Sequence, residues 1–433
     1  MSIDNYHPAD QIVSVMQRIY SKGMTTISGG NISILNSNGD IWITPAGIDK
    51  SSLKRADIIC VKADETIEGI HKPSSELPFH RMVYKVRPDF NAVIHAHPPA
   101  LVSFSIVGKI PDTRLIPGAD SICGKVALAG YALPGSKKLA EKVESAFKKN
   151  VRAVILENHG VLVAGKNLSE AFKALETLDY CAHLQIKAAY LEKAVTLSNT
   201  RVAFKEDDKE RNKEEKQAPE KLSTAHINSE KTARQEMVRL IRRTYEMGFI
   251  TSIQGDFSQR LKDNGFLITP RWVDRKNIQE NDLVFILNGK KEPRRHPCAS
   301  VKLHQYIYEK HPEINSVIIA QPLNIMAFAV TGTDFDSRII PESYIMLRDI
   351  PRLPYGSYQD NAEIIARSVS TQKPVVMVEN KCIIATGNSL INAFDRLEVL
   401  EYCAKSIIMS RNIGCFSPVP DKEIAEIIKA FNL

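Results

Sequence analysis

Asn91-Ala92-Val93-Ile94-His95-Ala96-His97-Pro98 decides how this chain is read. Apolar residues run into two histidines at i and i+2, and a proline stops the run. Side chains alternate faces along a strand, so a strand over Ala92–His97 sends both imidazoles to one side. A single tetrahedral metal can then take a nitrogen from each.

Reading outward, Leu77 to Val86 is expected as a helix, preceded by the polar loop His71-Lys72-Pro73-Ser74-Ser75-Glu76. Upstream, Ile12, Val15, Met16 and Ile19 recur at helical spacing in Ala9–Gly23, with Gly23 as the stop. Ser28-Gly29-Gly30-Asn31 breaks that helix. Strands over Ile32–Leu35 and Ile41–Thr44 flank the hairpin signal Asn36-Ser37-Asn38-Gly39. Downstream lie an amphipathic helix over Lys137–Lys149, a strand over Val151–Glu157, the turn Asn158-His159-Gly160 and a strand over Val161–Val163. A helix from about Ser169 to Leu197 closes the unit. Strands interleaved with helices give an α/β or mixed α+β class, α/β being the one taken.

Lys205-Glu206-Asp207-Asp208-Lys209-Glu210-Arg211-Asn212-Lys213-Glu214-Glu215-Lys216 contains nothing apolar to bury and reads as a linker near Ala218-Pro219. Beyond it the pattern starts again. Tyr20-Ser21-Lys22-Gly23-Met24 is answered by Tyr245-Glu246-Met247-Gly248-Phe249, Ile43-Thr44-Pro45 by Ile268-Thr269-Pro270, and Glu157-Asn158 by Glu379-Asn380. The offset stays between 222 and 225 residues (379 − 157 = 222, 245 − 20 = 225). The chain is therefore read as residues 1–200, a charged linker over 201–230, and a second copy over 231–433.

The two copies differ where chemistry is expected. His95 falls on Ile319, His97 on Gln321, Glu76 on Ser300 and His159 on Lys381. Fold-bearing residues persist while these four are replaced together. Three histidines with an open fourth position form the usual catalytic zinc ligand set. Glu76, at a helix start, becomes a general acid/base candidate beside a metal. Ser74, Ser75, Gly30 and Asn31 offer hydroxyls and backbone donors suited to an anion.

Composition bounds the rest. A chain of 433 residues, 43% hydrophobic and 25% charged, suits a soluble two-domain protein. The net charge of +7 demands no nucleic-acid partner and fits an anionic small substrate. Seven scattered cysteines with no C-x-x-C point to a reducing compartment. Neither a signal sequence nor a membrane span is legible, so a cytoplasmic location is expected.

Five segments, Ser28-Gly29-Gly30-Asn31-Ile32-Ser33, Ile43-Thr44-Pro45-Ala46-Gly47, Pro73-Ser74-Ser75-Glu76, His95-Ala96-His97-Pro98 and Glu157-Asn158-His159-Gly160, resemble the class II aldolase/adducin family in order and spacing. The likeness covers the first half, and the second half resembles a degenerate copy. It implies a three-layer αβα sandwich in two tandem copies, Zn2+ (another divalent transition metal being the alternative) on His95, His97 and His159, and Glu76 as the catalytic carboxylate. It further implies that Gly30, Asn31, Gly47, Ser74 and Ser75 grip a substrate phosphate. Glutamate at position 76 favours the aldolases of the family over its epimerases. Ala46 stands where the fuculose-phosphate aldolases carry a hydroxyl residue, and Ile116 about where they use a tyrosine.

The resulting expectation is a zinc-dependent lyase that cleaves or forms a C–C bond in a small phosphorylated ketose or hydroxy-ketone through a metal-stabilised enediolate. Epimerisation, dehydration or decarboxylation at the same metal, and a non-enzymatic adducin-like scaffold, are the alternatives. A homo-oligomer is expected, either two chains that present four domains as a pseudo-tetramer or a larger assembly, without a nucleic-acid or membrane partner.

Overall fold

A computed structural model of the chain describes residues 3–198, 224–261, 265–293, 295–360, 362–415 and 417–433. They form two compact units, and residues 115–117 and 184–197 group with the second. The charged run Lys205–Lys216 lies outside the described residues, as does most of the expected linker. Its last part, from Thr224, already belongs to the helix Thr224–Glu246.

The first unit is built on one eight-stranded sheet. In chain order its strands are β1 (Asn31–Leu35), β2 (Ile41–Ile43), β3 (Ile59–Val61), β4 (Ile67–Glu68), β5 (Ala92–Ala96), β6 (Val126–Ala129), β7 (Ala153–Leu156) and β8 (Gly160–Gly165). Across the sheet the order is β4-β3-β2-β1-β5-β8-β7-β6. Every neighbouring pair is antiparallel except β6 with β7, which is parallel. The helices are α1 (Pro8–Ser21), α2 (Leu77–Val86), α3 (Pro99–Ile106), α4 (Ala119–Cys123), α5 (Lys137–Phe147) and α6 (Leu168–Ala188).

Two helical layers sandwich the sheet because the central strands are apolar on both faces. On one face Phe79 and Val83 of α2 join Leu139, Val143 and Phe147 of α5. They pack over Ile43, Ile59, Val93, Val154 and Leu162. Residues of the opposite parity, Ile32, Ile94, Ile155 and Val163, are equally buried. Helix α1 packs on β1 and β2, and its Arg18 guanidinium lies 4.4 Å from the ring of Phe172 on α6.

The expected helix Leu77–Val86 and the strands around the histidines are present as read. Three differences have physical causes. Strand β5 stops at Ala96, one residue short of His97, because Pro98 carries no N–H for a ladder. Helix α6 ends at Ala188, not Leu197. Its local composition favours continuation, but Val195 donates its N–H at 2.7 Å to the carbonyl of Val330 instead. Strand β6 has no alternating signature; it exists because it pairs with the buried β7.

The second unit repeats the plan with β9 (Asp256–Arg260), β10 (Gly265–Ile268), β11 (Val284–Leu287), β12 (Lys290–Lys291), β13 (Ser316–Ala320), β14 (Arg352–Leu353), β15 (Val375–Val378) and β16 (Cys382–Gly387). Their order is β12-β11-β10-β9-β13-β16-β15-β14, again with one parallel pair at the β14 edge. Asp256 opposes Ile319 as Asn31 opposes His95. The register of this central strand pair is therefore the same in both units.

Phe147 is wholly buried at the centre of the α2/α5 face. Phe147→Ala should cost about 3–5 kcal/mol of stability through lost transfer energy and a cavity. Chemical denaturation of the full chain, followed at the first unit's transition, measures it.

Candidate metal centre

The site assembles at one end of β5. His95 faces into the protein from the strand, His97 follows just past its end, and His159 sits in the tight turn between β7 and β8. That turn is held by Asn158 in the left-handed region, φ 53°. Asparagine tolerates this conformation, and the next residue then swings across the strand ends. Glu76 is the N-cap residue of α2.

The structure brings all four together. The candidate ligand atoms of His95, His97 and His159 lie within 4.8 Å of one another. The Nε2 atoms of His95 and His97 are 2.9 Å apart. Glu76 Oε2 is 3.4 Å from His95 Nε2, and its Oε1 is 3.6 Å from His159 Nε2. Among the described residues this is the one group of three or more His, Cys, Asp or Glu close enough to hold a metal ion.

Electrostatics suit a cation. Burial drives the His95 pKa well below its ordinary value, assisted by the neighbouring His97 and His159. Burial lowers His97 to about 4 and depresses His159. The imidazoles are therefore neutral, and their contacts with Glu76 are not ion pairs. Burial raises the Glu76 pKa, opposed by a hydrogen bond from Asn31.

His95 Nδ1 lies 3.0 Å from the Val161 carbonyl, which can only accept. Nδ1 must carry the proton, and the Nε2 lone pair is left facing the cluster. Metal-ligating histidines are commonly fixed this way, by a backbone carbonyl behind the ring. Glu76 Oε1 and His159 Nδ1 are buried without partners. The donor set fits a divalent metal of the zinc type.

Packing leaves little room around the cluster. A Cβ on Gly160 would stand 2.5 Å from His97 Cδ2 and 2.6 Å from the Ala96 carbonyl. Gly30 has φ +70°, and a Cβ there would meet the His95 carbonyl at 2.8 Å. These two glycines let the chain pass close to the histidines.

The proposed anion-binding residues lie on three loops stitched together by backbone bonds. His97 N donates to Met24 O, and Lys50 N donates to Ile27 O. Ala46 N donates to Lys72 O, and Ser74 N to Thr44 O. Gly30, Gly47, Ser74 and Ser75 therefore share one neighbourhood. Ser75 and Gly47 are exposed, and Ser74 is buried with its hydroxyl accepting from Glu76 N at 3.3 Å. The Asn31 amide is engaged on both sides: Nδ2 donates to Glu76 Oε2 at 2.7 Å, and Oδ1 faces His80 Nε2 at 2.5 Å.

Sequence reading passed over two groups. Lys50 is buried and donates to the Pro45 carbonyl at 2.6 Å, bracing the Gly47 loop. His80, also fully buried, is held neutral with its pKa lowered to about 3 by burial. Both have counterparts in the second unit, Arg275 and His304, which was the available signal.

In the second unit the corresponding positions hold Ile319, Gln321, Lys381 and Ser300. Gln321 donates to the Lys381 carbonyl at 2.6 Å, and the Lys381 ammonium lies 4.6 Å over the Tyr358 ring. All seven cysteines are free. No helix among the described residues is long and apolar enough to cross a membrane.

Comparison with known proteins gives the same division. A model of the "Class II Aldolase and Adducin N-terminal domain" matches residues 10–186 and again residues 235–408. The chain is 36% identical over 181 residues to the 5-deoxy-D-ribulose 1-phosphate aldolase of Bacillus thuringiensis serovar kurstaki, covering 40% of this chain and 82% of that protein. It is 33% identical over 176 residues to an L-fuculose phosphate aldolase of Methanococcus maripaludis, covering 40% of this chain and 93% of that protein. It is 31% identical over 180 residues to the 3-oxo-tetronate 4-phosphate decarboxylase of Escherichia coli, covering 40% of this chain and 84% of that protein.

Two outcomes follow from the packing and charge. Gly160→Ala should displace His97 and lower the metal content of purified protein, read by elemental analysis. His80 and His97 bind protons less readily folded than unfolded, with pKa values of about 3 and 4 against 6.5. The unfolded chain therefore holds more protons between those values, and the metal-free protein should lose stability as pH falls from 6.5 towards 4. Denaturant midpoints across that range measure the loss; a flat profile contradicts it.

Proposed function

The chain belongs to the class II aldolase and adducin family, twice over, and from that premise we propose that its first unit is a zinc-dependent lyase acting on a small phosphorylated ketose or hydroxy-ketone. The observation that carries this reading is the convergence of three neutral imidazoles and one carboxylate on a single point.

His95, His97 and His159 would hold the ion. When bound, it supplies Lewis acidity that polarises a substrate carbonyl. The protein's own groups do the rest. Glu76 Oε2 is occupied by the Asn31 amide, whereas Oε1 has no partner. Proton exchange with the substrate therefore takes place at Oε1, and burial strengthens that oxygen as a base. The Gly30, Gly47, Ser74 and Ser75 loops, with the second Nδ2–H of Asn31, grip the phosphate through backbone donors and hydroxyls. Holding the phosphate fixes the reacting carbon relative to Glu76.

A second reading keeps the same ligands but breaks a bond to a carboxylate carbon. Likeness to the Escherichia coli 3-oxo-tetronate 4-phosphate decarboxylase favours it. Assembly into a homo-oligomer belongs to the same proposal, and light scattering on the full chain reads it.

Incubation of zinc-loaded protein with a panel of ketose phosphates should yield an aldehyde and a three-carbon ketone phosphate. Carbon dioxide without aldehyde selects the decarboxylase, and a chain without metal or turnover selects a scaffold. Glu76→Gln should lower kcat by about 100-fold or more with metal content unchanged, whereas His97→Ala should lose metal and activity together. One zinc per chain is expected, since the second unit lacks the ligands.

A further inference from the structure

Behind Glu76 runs a buried chain of side chains whose protons can be assigned one by one. Tyr84 OH lies 2.6 Å from Ser33 Oγ, and Ser33 Oγ lies 2.7 Å from His80 Nδ1. His80 Nε2 faces Asn31 Oδ1 at 2.5 Å, and Asn31 Nδ2 faces Glu76 Oε2 at 2.7 Å. Tyr84, Ser33, His80, Asn31 and Glu76 are all buried.

An ionised carboxylate only accepts, so Asn31 must turn its NH2 towards Glu76. Its carbonyl then faces His80, and Nε2 must be the protonated ring nitrogen. Nδ1 is left as an acceptor, which Ser33 fills with its hydroxyl proton. Ser33 in turn accepts from Tyr84. Every donor points towards Glu76.

The second unit separates what this chain does for folding from what it does for Glu76. Ser258, His304 and Tyr308 repeat the far end, with Ser258 Oγ 2.6 Å from both His304 Nδ1 and Tyr308 OH. The near end is inverted. Asp256 replaces Asn31, Ser300 replaces Glu76, and the serine donates to the aspartate at 2.5 Å. His304 Nε2 is left buried without a partner. This fold therefore tolerates an unpartnered nitrogen there, and the His80–Asn31 bond is not a requirement of packing. An asparagine amide can donate to a carboxylate; Asp256 requires a donor opposite. Donor and acceptor changed places together.

We propose that Asn31, locked in one orientation by the Nε2–H of His80, is the positioning residue of Glu76. It holds one carboxylate oxygen so that the other faces the histidine cluster. The Ser33–Tyr84 end serves the core in both units, and the His80–Asn31 link serves the carboxylate in the first alone. This inference rests on the reading of Glu76 as the proton-transfer group.

Two measurements on the full chain test it. Nitrogen-15 labelling of histidine should show His80 as the Nε2–H tautomer, and Asn31→Ala should abolish that preference. Kinetically, Asn31→Asp and His80→Leu should each lower kcat by about 10- to 100-fold with zinc retained, His80→Leu with KM near the wild-type value and Asn31→Asp with KM raised by the loss of its phosphate contact. His80→Gln places an amide donor where Nε2–H was and should recover most of the loss. A His80 protonated at Nδ1 overturns the proposal, as does equal loss in the Gln and Leu variants or loss of zinc in Asn31→Asp. The tautomer is read without substrate. An Nε2–H His80 in a chain inactive on every sugar phosphate would refute the lyase reading and leave the bonding pattern standing.

Discussion

The placement of β5 between β1 and β8 is the constraint on which the rest depends. His95 has Asn31 as its partner on one side and Leu162 on the other. The first pairing brings the Gly30-Asn31 loop to the histidines. The second brings the β7–β8 turn, and with it His159. A slip of one residue on either side would send His95 to the opposite helical layer, because side chains alternate faces. Apolar side chains on both faces of β5 make that slip costly, since each would trade buried contact for a mismatch.

Given that register, the chemistry of the site reduces to satisfying polar groups in a dry place. A buried polar atom without a partner costs about 1–3 kcal/mol. Most of the first unit's buried polar atoms near β5 are satisfied by one another. The exceptions there are Glu76 Oε1 and His159 Nδ1 at the cluster and Thr25 Oγ1 beside Gly29 and Gly30. In the second unit Ser300 and Lys381 stand in the places of Glu76 and His159. There an aspartate takes a serine hydroxyl and faces Arg275 at 3.5 Å, and a glutamine caps the lysine carbonyl. The same backbone therefore supports a carboxylate paired with a hydroxyl in one unit and a carboxylate facing three imidazoles in the other.

Much of this was legible in the amino-acid sequence because its strongest signals are periodic. The i, i+2 spacing of His95 and His97, the apolar run before them and the repeat at 222 to 225 residues needed no coordinates. The family resemblance came from five short segments and was borne out in both copies. What escaped were elements defined by their neighbours. Strand β6 is recognisable only beside β7, and the end of α6 only through Val195 and Val330. The Ser33, His80 and Tyr84 group escaped for another reason. Chemical residues stand out in the repeat where they are replaced, and this trio is kept as Ser258, His304 and Tyr308.

The pairing of β5 also sets when the site can come into being during folding. Asn31 and His95 are 64 residues apart (95 − 31), and His95 and Leu162 are 67 apart (162 − 95). Both contacts close long loops, and such contacts form late because their entropy must be overcome first. The hairpins β1–β2 and β7–β8 are local and can precede them. The three histidines therefore meet only once β5 has paired with β8, and Asn31 joins them only once β1 has paired as well. A cation bound there draws the equilibrium towards the finished first unit by mass action, and the second unit must complete its sheet without such help.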